Sequence, residues 1–352
     1  MENRVGTMNL IAGSWRGDGG FVALVAVVLT IVGCAEPPYL GRFNYSAMEA
    51  GNGISIAAGG TFPPDQSLTG RAALARRDGA GWQVTDLGEI GGLTGIAFNG
   101  RRWVAVGGEF GNERWGDGSI REFGTVVISD DGVTWREALT APPENLLNVV
   151  TDGSRFVATA FGSEYVYYSD DGDLWRRIYV GNRLGSEARY AAGRFMAYGN
   201  GPSIMESLDG ETWTESYVGV ANVRVIRPHG NLARGFGASC VQCDPESVQP
   251  RALTLTESGE WVVAAEPGLS SPYDVVFPEG TAVATTFEGL MFAVDDADGR
   301  QWEPIGVFDS SWDSLHAGGS DVFLLGFGIR VSRDGGRTWA LEVTDTDGLG
   351  GP

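Results

Sequence analysis

Ser332-Arg333-Asp334-Gly335-Gly336-Arg337-Thr338-Trp339, near the C-terminal end of the chain, decides the fold, because shorter copies of it recur upstream. They are Ser129-Asp130-Asp131-Gly132-Val133-Thr134-Trp135, Ser169-Asp170-Asp171-Gly172-Asp173-Leu174-Trp175 and Ser207-Leu208-Asp209-Gly210-Glu211-Thr212-Trp213. Weaker echoes are Asp78-Gly79 before Trp82, Glu257-Ser258-Gly259 before Trp261, and Asp298-Gly299 before Trp302. One tryptophan per unit gives Trp82, Trp135, Trp175, Trp213, Trp261, Trp302 and Trp339, spaced by about 37 to 53 residues, the period of propeller blades or solenoids.

Upstream of each copy lies a pair of apolar runs broken by a turn. Leu93–Phe98 and Trp103–Val106 flank Asn99-Gly100, and Leu147–Val150 and Phe156–Ala160 flank Asp152-Gly153. Asn-Gly and Asp-Gly between such runs are hairpin signals. A third run follows, such as Thr125–Ile128 or Tyr165–Tyr168, and then the Asp-Gly turn and a fourth strand beginning at the tryptophan. The expected fold is all-β: a seven-bladed β-propeller of four-stranded antiparallel blades over residues 44–345, with 346–352 as a tail. A β-solenoid is the alternative, although four-strand units of this length suit blades better. Each blade owns four strands, so closure needs none borrowed, although Tyr39–Phe43 is placed to supply one.

Composition agrees. Hydrophobic residues make up 43%, enough for a core, and the 54 glycines without a collagen period indicate many tight turns. All 25 basic residues are Arg, and the formal net charge is -20, which argues against a nucleic-acid partner.

Residues 1–33 have the layout of a signal peptide: Arg4 and Arg16, then the apolar Phe21–Val32, shorter than a comfortable membrane span. Ile31-Val32-Gly33-Cys34 resembles a bacterial lipobox. The resemblance implies lipidation of Cys34, a tether over 34–43, and an extracytoplasmic, membrane-anchored protein of the bacterial envelope, on the outer membrane of a Gram-negative cell since Ala35 follows. An ordinary cleaved signal or a short membrane helix, with Cys34 incidental, is the alternative. Cys240 and Cys243 read as a loop disulfide in such a compartment.

The recurring turn resembles the Asp-box, or BNR repeat, of sialidase-type propellers. Asp131, Asp171, Asp209 and Asp334 are then structural, each accepting backbone N–H groups, while Trp135, Trp175, Trp213 and Trp339 pack between blades. Asp170, Asp171 and Asp173 hint at a calcium loop, as do Asp295, Asp296 and Asp298, but both lack the closing Glu. No metal or cofactor is therefore expected. The sialidase chemistry that the resemblance implies needs an arginine triad, a Tyr–Glu nucleophile pair, an acid/base Asp and an N-terminal Phe/Tyr-Arg-Ile-Pro motif. The nearest string is Ile226-Arg227-Pro228, in mid-chain, so no catalytic residue carries over.

A ligand surface is expected instead on the long loops between second and third strands. The best candidate is Gly107–Gly124, with Glu109, Glu113, Arg114, Trp115, Asp117 and Arg121, joined by Trp312 from an inter-blade loop. These readings favour a non-catalytic binding or assembly module with a protein or glycan ligand. A glycan-active hydrolase is the alternative.

Overall fold

The apolar runs form strands because branched and aromatic residues alternate along them and a turn residue ends each one. The computed structural model describes residues 44–344, apart from 62–69, 115–119, 141, 161, 182–186, 200, 240–249, 267, 270–271, 279–280, 287–288, 295–300, 307–313 and 319–320. For 109–114, 120–123, 290–294 and 306 it describes the backbone alone. Cys34, Trp115, Asp117, Cys240, Cys243, Asp295, Asp296, Asp298 and Trp312 thus lie outside the described residues, as do the signal segment and the C-terminal tail.

The described residues form seven four-stranded antiparallel sheets in chain order. The first holds β1 Asn44–Gly51, β2 Ile54–Gly60, β3 Ala72–Asp78 and β4 Gly81–Gly88. The second holds β5 Gly92–Phe98, β6 Trp103–Arg114, β7 Ile120–Ser129 and β8 Arg136–Glu137. The third holds β9 Leu146–Thr151, β10 Phe156–Ala160, β11 Tyr165–Ser169 and β12 Arg176–Tyr179. The fourth holds β13 Glu187–Ala191, β14 Arg194–Tyr198, β15 Ser203–Ser207 and β16 Thr214–Tyr217. The fifth holds β17 Asn222–His229, β18 Leu232–Ala238, β19 Pro250–Leu255 and β20 Trp261–Ala265. The sixth holds β21 Pro272–Val276, β22 Thr281–Thr286, β23 Gly289–Val294 and β24 Trp302–Gly306. The seventh holds β25 Ser314–Gly318, β26 Asp321–Gly326, β27 Gly328–Ser332 and β28 Ala340–Val343. First strands neighbour one another in sequence, from β1 through β5, β9, β13, β17 and β21 to β25, and β25 meets β1. This is an all-β propeller with four-stranded antiparallel blades.

Because the strands alternate in direction, the joins from fourth to first strand and from second to third gather on one face, here the upper. The first-to-second and third-to-fourth turns gather on the lower face. The loop expected over Gly107–Gly124 is in large part strand: β6 and β7 extend past the sheet, pairing Glu109 with Phe123, Phe110 with Glu122 and Arg114 with Ile120. Charged residues with no apolar alternation concealed this, since a hairpin rising off a sheet has no core to face.

The Ser-x-Asp-Gly turns have the local geometry that their residues require. In the second sheet the Ser129 hydroxyl accepts the Gly132 N–H at 2.8 Å, and Asp131 Oδ1 accepts those of Val133 and Thr134 at 2.8 and 2.7 Å. The equivalent bonds recur around Asp171, Asp209 and Asp334. Backbone donors hold the Asp131, Asp209 and Asp334 carboxyls down at about 2. Gly132 sits at φ 71°, where a side chain would be strained. The indole N–H groups of Trp175, Trp213 and Trp339 close each turn on its own glycine carbonyl, of Gly172, Gly210 and Gly336 respectively. All four turn tryptophans are half-buried at the cores between adjacent sheets. Among the described tryptophans Trp103 is the most deeply buried, 1% exposed.

Arginines tie two of these turns, those of Asp171 and Asp209, to the preceding blade. Arg102 and Arg155, just before the second strands of their sheets, donate to the carbonyls of Asp171 and Asp209 in the next sheet at 2.9 and 2.7 Å. Arg136 and Arg176, one residue past the turn tryptophan, pair with Asp173 and Glu211 of the next turn at 2.5 and 2.7 Å. Asp173 therefore serves a seam between blades. No cluster of three or more His, Cys, Asp or Glu suited to a metal occurs among the described residues.

Candidate functional site in the central channel

The seven first strands enclose a channel of about 1080 Å³. Its upper end is shaped by β-bulges. Register shifts in five first strands leave Ser46, Thr94, Leu147, Arg224 and Tyr273 without a cross-strand partner. All five line the channel. A bulge inserts one residue and re-aims it, and in this fold the effect is to turn one side chain per strand towards the axis.

Polar bonds close the seams around the channel. Thr94 Oγ1 donates to Leu146 O at 2.8 Å, and Asn148 Nδ2 reaches Glu187 Oε2 at 3.4 Å. The buried Tyr198 hydroxyl accepts the Ile226 N–H at 2.8 Å and donates to the Ile226 carbonyl at 3.2 Å. Arg227 Nη2 pairs with Asp274 Oδ1 at 2.5 Å, while Asp274 Oδ2 accepts the Leu315 N–H at 2.8 Å. The Ser314 hydroxyl donates to Ser46 O at 2.8 Å, across the seam between last and first sheets. Between the first and second sheets glycine meets glycine: a Cβ on Gly60 would lie 2.5 Å from Gly92 Cα.

Three arginines line the channel: Arg189, Arg224 and Arg227. Two are engaged, Arg227 by Asp274 and Arg189 by Glu187 at 3.2 Å. Among the described residues Arg224 has neither an ion pair nor a hydrogen bond, and its charge acts on the Tyr273 hydroxyl. Burial pushes the Tyr273 hydroxyl above its ordinary range, against the opposing charge of Arg224. His316 lies deep in the wall, held well below its ordinary range by burial and by Arg227 and Arg189. Glu49 borders the lumen but is hemmed in by protein; that desolvation pushes its carboxyl up to about 7, outweighing the Ala50 N–H and Arg189.

The site reading from sequence pointed elsewhere. The side chains of Glu109, Glu113, Arg114 and Arg121 lie outside the described residues, so the loop surface stands as an expectation on the same upper face. Arg227, met in Ile226-Arg227-Pro228, proves to be a channel residue neutralised by Asp274. The overlooked signal was a polar residue set between apolar neighbours in a first strand: Thr94, Arg224, Arg227, Asp274 and His316 interrupt such runs.

No family model matches the sequence, and a search of curated proteins returns no match. Solved structures do resemble the fold. The WD40 β-propeller domain of Doa1 superposes with a TM-score of 0.55 at 11% identity, covering 84% of this chain and 95% of that one. A catalytically inactive virginiamycin B lyase from Staphylococcus aureus, solved with quinupristin, gives 0.56 at 11% identity, covering 81% and 92%. Trypanosoma rangeli sialidase overlaps less, at 0.42 and 12% identity over 74% of this chain and 54% of that one, a likeness too distant to carry its chemistry across. The class that fold and comparisons define is the β-propeller, a scaffold on which binding modules and enzymes both occur.

Proposed function

We propose that the protein is a non-catalytic binding or assembly module: a seven-bladed Asp-box propeller whose ligand presents one acidic group to the upper mouth of the channel. The observation that carries this is Arg224. It is the channel arginine without an ion pair among the described residues, and a bulge turns it to the lumen beside Tyr273. The forked donors of a guanidinium match a carboxylate or sulfate. With a net charge of -20, the protein repels polyanions at long range, which favours a single acidic group on an otherwise neutral glycan or peptide.

Engagement of Arg189 and Arg227 by carboxylates weighs against a sialidase-like arginine triad. Glu49 favours the second reading, a glycan-active hydrolase, because a carboxyl near 7 suits a general acid. The test sets binding against turnover. The full chain should retain uronate-tipped oligosaccharides or singly acidic peptides, Arg224→Ala should weaken this by roughly 10- to 100-fold, the range of about 1.5–3 kcal/mol for a charged hydrogen bond, and fluorogenic glycosides should remain intact. Glycoside turnover abolished by Glu49→Gln would replace the binding reading with the hydrolase.

The same proposal carries the anchor: a lipidated Cys34 holding the propeller outside the cytoplasm of a bacterial cell, on the outer membrane of a Gram-negative one. Its support is the Ile31–Cys34 lipobox string after an apolar segment. Cells fed labelled fatty acid should mark the wild type and not Cys34→Ser. Equal labelling would remove the anchor.

A further inference from the structure

Most charged side chains of the channel wall are matched within the protein. Asp152 meets Arg155 at 2.9 Å, Glu187 meets Arg189 at 3.2 Å, and Asp274 meets Arg227 at 2.5 Å. Among the described residues two lining charges stand without an ion pair, Arg224 and Glu49, and they are opposite in sign. The hydrogen bond to the Glu49 carboxylate comes from its own neighbour, the Ala50 N–H at 3.3 Å. Arg189 lies near enough to act on Glu49, but its guanidinium is bonded to Glu187 and, at 2.6 Å, to the Ala188 carbonyl.

The two charges stand at different heights. Arg224 is the third residue of β17, near the upper mouth, and its counterpart in β1 is Ser46, also third and also at a bulge. Glu49 lies three residues further down β1 than Ser46, a drop of about 10 Å at the rise of an extended strand. β1 and β17 belong to the first and fifth of seven sheets, so the charges face each other across the lumen. The wall between them includes the apolar Ile96, Val149 and Val276, and the half-buried rings of Tyr190 and Phe277 line the lower end.

We infer that the channel holds a short peptide with free ends, about three residues long, its terminal carboxylate on Arg224 and its terminal ammonium on Glu49. The inference rests on recognition of an acidic group at the upper mouth and narrows the ligand there to a zwitterion. Span sets the length. Three residues of extended peptide cover about 10 Å, whereas a single amino acid covers about 3.5 Å and falls short of one charge or the other. Charge sets the class. A carboxylate hemmed in by protein is costly without a counter-ion, and an ammonium supplies one, whereas a uronate-tipped glycan leaves Glu49 unmatched. A zwitterion also carries no net charge, so the -20 of the protein does not oppose its entry. Apolar side chains in the peptide suit the wall between its two ends.

Blocking one end of the peptide at a time separates the two contacts. The full chain would be titrated calorimetrically with alanyl-leucyl-alanine, with its N-acetyl form and with its C-terminal amide. The wild type should bind the free tripeptide, and either block should weaken binding by roughly 10- to 100-fold, the range of a charged hydrogen bond. In Glu49→Gln the free and N-acetyl forms should bind alike while the amide stays weak. In Arg224→Ala the free and amidated forms should bind alike. The blocks alter the ligand and leave the wild-type protein untouched, so a variant that fails to fold does not imitate the result. Full affinity for the N-acetyl form, still lost in Arg224→Ala, would overturn the inference and leave recognition of an acidic group standing. So would failure of every tripeptide form where a uronate-tipped oligosaccharide binds. Equal binding of the free and amidated forms by the wild type, or no binding of either ligand class, would overturn both.

Discussion

Asp274→Ala is expected to lower the unfolding free energy by about 3–5 kcal/mol, the loss that follows when one partner of a buried ion pair is removed. Asp274 is 6% exposed and joins three sheets. It takes the Arg227 guanidinium from the fifth, its Oδ1 accepts the N–H of Val275 in its own sheet at 2.7 Å, and its Oδ2 accepts that of Leu315 in the seventh. Truncation strands a guanidinium, itself 11% exposed, and two amides without acceptors. Asp274→Asn keeps acceptor capacity and removes the charge, so its loss should be smaller. Urea denaturation of both variants measures the difference, and a loss below about 1 kcal/mol for Asp274→Ala would deny the residue its clamping role.

Trp103→Ala is expected to cost a similar amount, about 3–5 kcal/mol, for a different reason. The Trp103 ring stacks on Phe98 with centroids 4.3 Å apart and 24° between planes. Around it lie Ile56, Leu74, Leu93, Ile96 and Val127, in the core shared by the first and second sheets. Deletion leaves a cavity that rigid strands on both sides cannot close. Trp135 edges the same core but is half-buried, so Trp135→Ala should cost less. Thermal melts of the two variants test the ranking, and equal losses would mean that the repeated tryptophan matters as much as the buried one.

Those two residues mark the limit of what the sequence makes legible. The Ser-x-Asp-Gly turns are readable because their chemistry is local: Ser129, Asp131 and Gly132 bond to atoms within three residues. Four strands per unit follow from turn spacing, and the sheets agree strand for strand. Trp103 looks like one more apolar residue until the second sheet packs on the first. Asp274 meets Arg227 from 47 positions away, and no periodicity announces that pairing. Arg224 is harder still, because a one-residue register shift decides whether its side chain meets the core or the channel. The β6–β7 hairpin misled in the opposite sense, since a charged, glycine-bearing stretch resembles a loop when its strands have no sheet to cover.

The central claim, that the channel mouth recognises an acidic group through Arg224, is tested most directly by calorimetric titration. The full-length wild type and Arg224→Ala would each be titrated with a uronate-tipped oligosaccharide and with its reduced, neutral counterpart. The account predicts saturable binding of the acidic form by the wild type, weakening of at least about tenfold in Arg224→Ala, and no binding of the neutral form by either. Equal affinity of wild type and variant for the acidic form would contradict it.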